Sequence, residues 1–262
     1  MSKHHLFLSP HYDDAIYSCG GVIYSLVQAG DTVTILTIMA GEPQPPFPDT
    51  PVLQDNHTRW EAGENPVQVR RQEDKIAAQL LGVETQYLDI LDCIYRTDGQ
   101  TPLYPTEASL WHTIHAQDNT LGQLKAIPLP KADVMYVPFG VGGHVDHLIV
   151  RDFGLHLAQV GHEVDFYIEY PYLRSEDTIQ QAQDVFPLDI DITARAFSED
   201  AMQHKIDAMV AYKTQISSFW TSQGSIASEV RGTFSAENGH FVERFAQLRT
   251  DGTSQNSHHP YT

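Results

Sequence analysis

Leu6-Phe7-Leu8-Ser9-Pro10-His11-Tyr12-Asp13-Asp14 is the stretch on which the fold turns. Three apolar residues read as a short buried strand, Ser9-Pro10 stops it, and imidazole and carboxylate groups follow at once. The same order recurs further along the chain. Asp133-Val134-Met135-Tyr136-Val137-Pro138 reads as a strand, and Gly140-Val141-Gly142-Gly143 then leads into His144-Val145-Asp146-His147. Helical apolar spacing marks Cys19 to Ala29, stopped by Gly30-Asp31, and Val69 to Leu81, closed by Gly82. Dense β-branched or apolar runs mark further strands at Thr32 to Met39, Thr85 to Ile90 and Val164 to Glu169. Helices are also predicted at Glu107 to His115, 146–159 and 199–216, and a strand at 240–248.

Strands alternating with helices of this length predict an α/β fold: a mostly parallel, twisted, Rossmann-like sheet with helices on both faces. Ligands of such sheets bind beyond the carboxyl ends of the strands. The loops at 11–14 and 144–147 are therefore expected on one edge. Residues 41–66 hold six of the 15 prolines and read as one long loop, a length that is usually functional. That loop and the 90–105 segment should border the site. A single domain over 1–262 is expected, with 250–262 as a polar, frayed tail in which His258-His259 are too few for a purification tag.

A chain of 262 residues with 41% hydrophobic residues can bury a full core, which excludes a small disulfide scaffold or a disordered tail. Sixteen Lys and Arg against 34 Asp and Glu give a net charge of −18. Such a surface repels phosphate backbones and anionic lipid heads, so neither nucleic acid nor a polybasic membrane contact is expected. No apolar run approaches the length of a membrane span. The first residues lack a signal peptide's apolar segment, and Cys19 and Cys93 make neither a disulfide framework nor a CxxC pair. A cytoplasmic protein follows as the expectation. Homo-oligomers are common on symmetry grounds.

Imidazole and carboxylate are ligands for borderline divalent metals, and two histidines plus one carboxylate with an open position suit hydrolytic zinc. One such cluster among fourteen histidines means little. Two clusters, each ending a parallel strand, point to a metal site. The spare carboxylate beside a ligand adds a base that need not bind the metal. Gly20-Gly21 and Gly140-x-Gly142-Gly143 do not follow the GxGxxG spacing, so a dinucleotide site is not expected. Cys19 and the stripe Ile206, Met209, Val210, Tyr212 read as core, and Arg71 as a solvated partner of Glu73 or Asp74. Trp60 suits either a sugar ring or an oligomer contact.

Pro10-His11-Tyr12-Asp13-Asp14 resembles the PHPDD motif of the PIG-L/LmbE-like zinc deacetylases, and His144-x-Asp146-His147 resembles their HxDH motif. Arg70-x-x-Glu73 with Ala77 and Leu81-Gly82 is similar to a helix of that family, and Asp92 falls where the family places a loop aspartate. Cys19-Gly20-Gly21, Ile94-Tyr95-Arg96 and Tyr170-Pro171-Tyr172 resemble a bacterial subgroup with SPHxDDA in the first motif. The resemblance implies a zinc-dependent deacetylase of N-acylated amino sugars or related glycoconjugates, with one zinc per chain. By motif position it implies His11, Asp14 and His147 as zinc ligands and Asp13 as general base. It implies His144 near the oxyanion, Asp146 behind a histidine, and Arg70 and Asp92 at the substrate. Tyr12 replaces a proline and Ala15 a glutamate of the family pattern, and neither is a ligand position. A catalytically silent, sugar-binding or regulatory relative is the alternative. Retention of all three ligands and the base favours the enzyme.

Overall fold

The computed structural model describes residues 2–61, 63, 65–174, 176–220, 223–236 and 239–249. The first half runs β1 (His4–Ser9), α1 (Asp14–Gln28), β2 (Thr32–Thr37), α2 (Pro51–Trp60), α3 (Pro66–Leu81) and β3 (Glu84–Tyr87). A short hairpin, β4 (Thr97–Asp98) and β5 (Thr101–Pro102), precedes α4 (Thr120–Ala126), β6 (Val134–Pro138), α5 (Val145–Gln159) and β7 (Val164–Tyr167). The chain continues through α6 (Glu176–Asp184), β8 (Ile190–Phe197), α7 (Glu199–Val210), α8 (Lys213–Phe219), α9 (Gln223–Phe234) and β9 (Phe241–Leu248).

Among the described residues these strands form a seven-stranded sheet in the order β3-β2-β1-β6-β7-β9-β8. The first five are parallel, and β9 lies antiparallel to both β7 and β8. The expected α/β sheet, mostly parallel, is the one found. β1 sits at its centre, and its side chains alternate between two cores. Phe7 points into the cluster formed with α1, α3, α7 and α9, and Leu6 and Leu8 into that formed with α4, α5 and α6. Cys19 and the 206–212 stripe pack in the first cluster, as their apolar character predicts, though Val210 only at its margin. No helix among the described residues is long and apolar enough to cross a membrane.

Three expectations need correction. The 41–66 segment is not one loop, because α2 forms inside it. Its prolines misled: Pro51 and Pro66 open α2 and α3, where the missing N–H leaves no hydrogen bond unmade. Thr50 caps α2 by accepting from the Leu53 amide at 3.3 Å. At 107–115 only a 3-10 turn forms, over Glu107–Leu110, because Trp111 turns extended and His112 takes a φ of 70°. The 199–216 helix breaks at Ala211-Tyr212. Side chains of α3 impose the break: Glu73 accepts from the Thr214 amide at 3.0 Å, and Asp74 from the Tyr212 hydroxyl at 2.7 Å. The tail at 250–262, with His258-His259, lies outside the described residues.

Candidate metal centre and active site

β1 and β6 are parallel neighbours, so their carboxyl ends deliver the two histidine-aspartate loops side by side. Ser9 Oγ fixes the first loop, donating to the His11 carbonyl at 2.5 Å and accepting from the Ala15 amide at 3.0 Å. Tyr12 is buried, its hydroxyl donating to the Ala40 carbonyl at 3.3 Å and its own carbonyl accepting from Tyr212. The tyrosine that replaces the family's proline thus ties the loop down by hydrogen bonds. Asp14 opens α1, where the helix dipole favours a negative charge. The second loop turns at Gly143, whose φ is 76° and where a Cβ would fall 2.3 Å from His112 Nδ1.

Asp14 Oδ2 is the hub of the cluster, 3.3 Å from His11 Nδ1 and 3.2 Å from His147 Nε2. Tetrahedral ligand atoms bonded at about 2.0–2.2 Å lie about 3.3–3.6 Å apart, so these spacings match those of a shared ion. The rings of His11, His144 and His147 also converge, with one nitrogen of each within 4.8 Å of the others. Carboxylates stand behind the ring nitrogens that face away. His11 Nε2 donates to Asp146 Oδ2 at 3.0 Å, and His147 Nδ1 to Glu169 Oε1 at 3.3 Å. Outer carboxylates of this kind fix the tautomer and raise the basicity of a ligating imidazole. With Asp13, Asp14, Asp92, Asp146 and Glu169 gathered around three imidazoles and Arg70, the donor set calls for a divalent cation.

The protonation pattern agrees. Burial would raise Asp14, yet His147 and His11 hold its carboxyl well below the usual range. Burial would lower His147, yet Asp14 and Glu169 lift it to about 9. An ionised carboxylate and a strongly basic imidazole thus face each other where a cation would sit. Asp13 is pushed up to about 6 by burial and by the charge of Asp14, against the pull of Arg70.

Asp13 and Asp14 are adjacent but face different partners. Arg70 Nη2 donates to Asp13 Oδ1 at 3.4 Å, and Arg70 Nη1 lies 4.0 Å from Asp92 Oδ2. Asp92 combines two jobs: Oδ1 accepts from the Ile94 amide at 3.2 Å, while Oδ2 lies 3.6 Å from His11 Nε2. His144 caps α5, its Nδ1 accepting from the Asp146 amide at 3.3 Å. That bond leaves the proton of the neutral ring on Nε2, 4.0 Å from Cys93 Sγ. Burial, with His11 and His147 nearby, holds His144 well below its ordinary value. All the sequence-predicted site residues meet in one place, and His11, Asp13, Asp14, Arg70, Asp92 and His144 line a cavity of ≈ 260 Å³. Trp60 from α2 lines it too, while the rest of the 41–66 segment contributes little beyond Asn56 and Arg59. Arg71 departs from its expected partners: it pairs with Glu42 at 3.2 Å and donates to the Ala40 carbonyl.

Several residues of the site were missed. Glu169, fully buried just past β7, accepts from the Gly140 and Val141 amides besides holding His147. Arg96 pairs with Asp146 and Asp118 and so braces the carboxylate behind His11. Gln215 of α8 and Trp111 also line the cavity. Glu169 carried a signal, as an acidic residue ending a strand on the ligand-binding edge, and Arg96 carried another in the Ile94-Tyr95-Arg96 resemblance.

A parallel sheet with a buried His/Asp cluster at its carboxyl edge, backed by carboxylates and flanked by a spare aspartate, defines a metal-dependent hydrolase. The chain belongs to the PIG-L family, described as GlcNAc-PI de-N-acetylase, whose sequence pattern matches residues 6–158. It is similar to a 2'-N-acetylparomamine deacetylase of Niallia circulans, 30% identical over 193 residues, covering 67% of this chain and 70% of the relative. A protein of the same name from Streptomyces fradiae is 29% identical over 227 residues, covering 80% and 72%. In fold it resembles the zinc-inhibited form of teicoplanin deacetylase Orf2, with a TM-score of 0.77 and 22% identity over 95% of this chain and all of that one. The A40926 pseudoaglycone deacetylase Dbv21 gives 0.71 and 24% over 97% of this chain and 100% of its own. This chain is a metal-dependent N-deacetylase, a hydrolase of amides.

Proposed function

We propose that the chain removes the acetyl group from the nitrogen of an amino sugar or related glycoconjugate, with zinc held by His11, Asp14 and His147. One observation carries the proposal: Asp14 Oδ2 stands at tetrahedral-edge distance from both His11 Nδ1 and His147 Nε2, with Asp13 beside it and outside that pair. The names of the two curated relatives support an N-acetylated amino sugar as substrate. When bound, zinc supplies a Lewis acid for the acyl carbonyl and makes a water acidic enough to attack.

The residues around it do the proton work. Asp13, kept in place by Arg70 at 3.4 Å, takes a proton from the attacking water. A base shifted up to about 6 is ionised at neutral pH yet more basic than an ordinary aspartate. His144 donates from Nε2 to the oxygen that gains charge, because Nδ1 is already an acceptor for the Asp146 amide. Asp13 then returns its proton to the departing amine, so the amide C–N bond is exchanged for a C–O bond and one water is consumed. Asp92 accepts from a sugar hydroxyl, and Trp60, Trp111 and Tyr172 give the ring aromatic walls. The buried, unpaired Cys19 and Cys93 support a reducing, cytoplasmic setting.

The purified chain is expected to carry about one equivalent of zinc and to release acetate from N-acetylglucosamine conjugates or 2'-N-acetylparomamine. A strong chelator should abolish that release and added zinc restore it. A protein with no metal by elemental analysis and no acetate release after zinc addition would overturn the proposal. A finer test concerns Asp92. Asp92→Ala should lower kcat/KM about tenfold, the size of one hydrogen bond to substrate, with bound zinc nearly unchanged. Wild-type kinetics would reduce Asp92 to its capping bond with Ile94.

A further inference from the structure

Beside the catalytic cavity lies a larger groove of ≈ 750 Å³ between the end of α2 and the length of α8. The two share a wall of Arg59, Trp60, Ser218 and Phe219. We propose that this groove is a subsite for a second ring, taking the polyhydroxylated sugar or cyclitol joined to the acetylated one. The proposal rests on the deacetylase reading above and extends it to substrate size and shape.

Volume and connection make the case. The cavity around His11 and His144, at ≈ 260 Å³, holds about one sugar ring. Anything attached to that ring must leave past its walls. The cavities near Glu229 and Phe234, near Pro45 and Phe47, and near Phe186 and Asp189 share no lining residue with the site, whereas the α2–α8 groove shares four.

The chemistry of the groove selects the occupant. Trp60, Phe219 and Trp220 supply aromatic surface, and Ser217, Ser218, Lys213, Glu61 and Arg59 supply hydrogen-bonding groups of both signs. An acyl chain would leave the polar groups without partners. A ring with hydroxyls on its rim and C–H groups on its faces meets both kinds of surface. The shared wall is built in advance. Arg70 stacks on Trp60 with its guanidinium carbon 4.7 Å from the ring centroid, and Ser217 Oγ donates to the Arg59 carbonyl at 3.2 Å, joining α8 to α2. A preformed wall orders little on binding and so favours affinity.

Ser217 and Lys213 are exposed and line the groove without lining the catalytic cavity. Lys213→Trp should therefore fill the groove and spare the chemistry, while Lys213→Ala removes only the ammonium and leaves the Ser217–Arg59 bond in place. The probes are the methyl glycoside of N-acetylglucosamine, with one sugar ring, and 2'-N-acetylparomamine, an amino sugar joined to an aminocyclitol. For the zinc-loaded full chain we expect Lys213→Trp to raise KM and lower kcat/KM about tenfold or more on the two-ring probe. Turnover of the one-ring probe should stay at the wild-type level in both Lys213 variants, and Lys213→Ala should lose much less than Lys213→Trp on the two-ring probe. Equal losses on both probes, or no loss on the two-ring probe, would overturn the groove assignment while leaving the deacetylase intact. A zinc-loaded wild type that releases no acetate from any N-acetyl probe would overturn the deacetylase reading, and the groove with it.

Discussion

Asp13→Asn is expected to fold, to keep its zinc and to turn over about 10²–10⁴-fold more slowly, the usual size of a general-base contribution. The amide is nearly the same shape as the carboxylate, so packing is preserved. What changes is charge and basicity. Asp13 is buried, with its position set by Arg70 at 3.4 Å, and Arg70 can donate to an amide oxygen as it does to a carboxylate. Removing one negative charge beside Asp14 alters zinc affinity only modestly, because Asp13 stands outside the His11–Asp14–His147 set. Zinc content and turnover measured on one preparation decide the matter. If the Asp13→Asn protein lost its zinc and Asp14→Ala kept it, the roles of the two aspartates would be exchanged.

Asp14→Ala and His147→Ala should show the larger effect on the metal, losing zinc together with activity. Asp14 Oδ2 touches both imidazoles, so its removal takes away one ligand and the charge that holds the other two in place. Burial at His147 is then opposed by Glu169 without Asp14, the larger of the two charges that now lift it. His147→Ala leaves the Glu169 carboxylate buried with only the Gly140 and Val141 amides as donors among its present partners. An unpaired buried charge of that kind costs several kcal/mol, so lower thermal stability should accompany the loss of metal. Elemental analysis, turnover and a melting curve on each variant test this. Retention of stoichiometric zinc by either protein would remove that residue from the ligand set.

The strands and the two motif clusters were legible because both are local. β1, β2 and β6 are apolar runs buried on both faces, and a parallel sheet leaves no other place for such runs. The edge that collects ligands follows from strand direction alone, which brought His11 and His147 together before any contact was known. Helix ends were read less well where one feature had two meanings. Proline marks a loop or a first helical turn, and Pro51 and Pro66 took the second role.

What escaped the sequence is made by contacts between distant elements. α7 and α8 share one apolar period, and only Glu73 and Asp74 of α3 show where it must break. Asp146 could orient any histidine; packing made it His11, through Nε2, and gave His147 to Glu169, 22 positions further along. The order of residues therefore determined which ligand types reach the sheet edge. Tertiary structure decided which nitrogen each ring presents, which carboxylate stands behind it and how far the cavity extends. Side-chain direction and desolvation depend on neighbours remote in the chain, and periodicity carries no information about them.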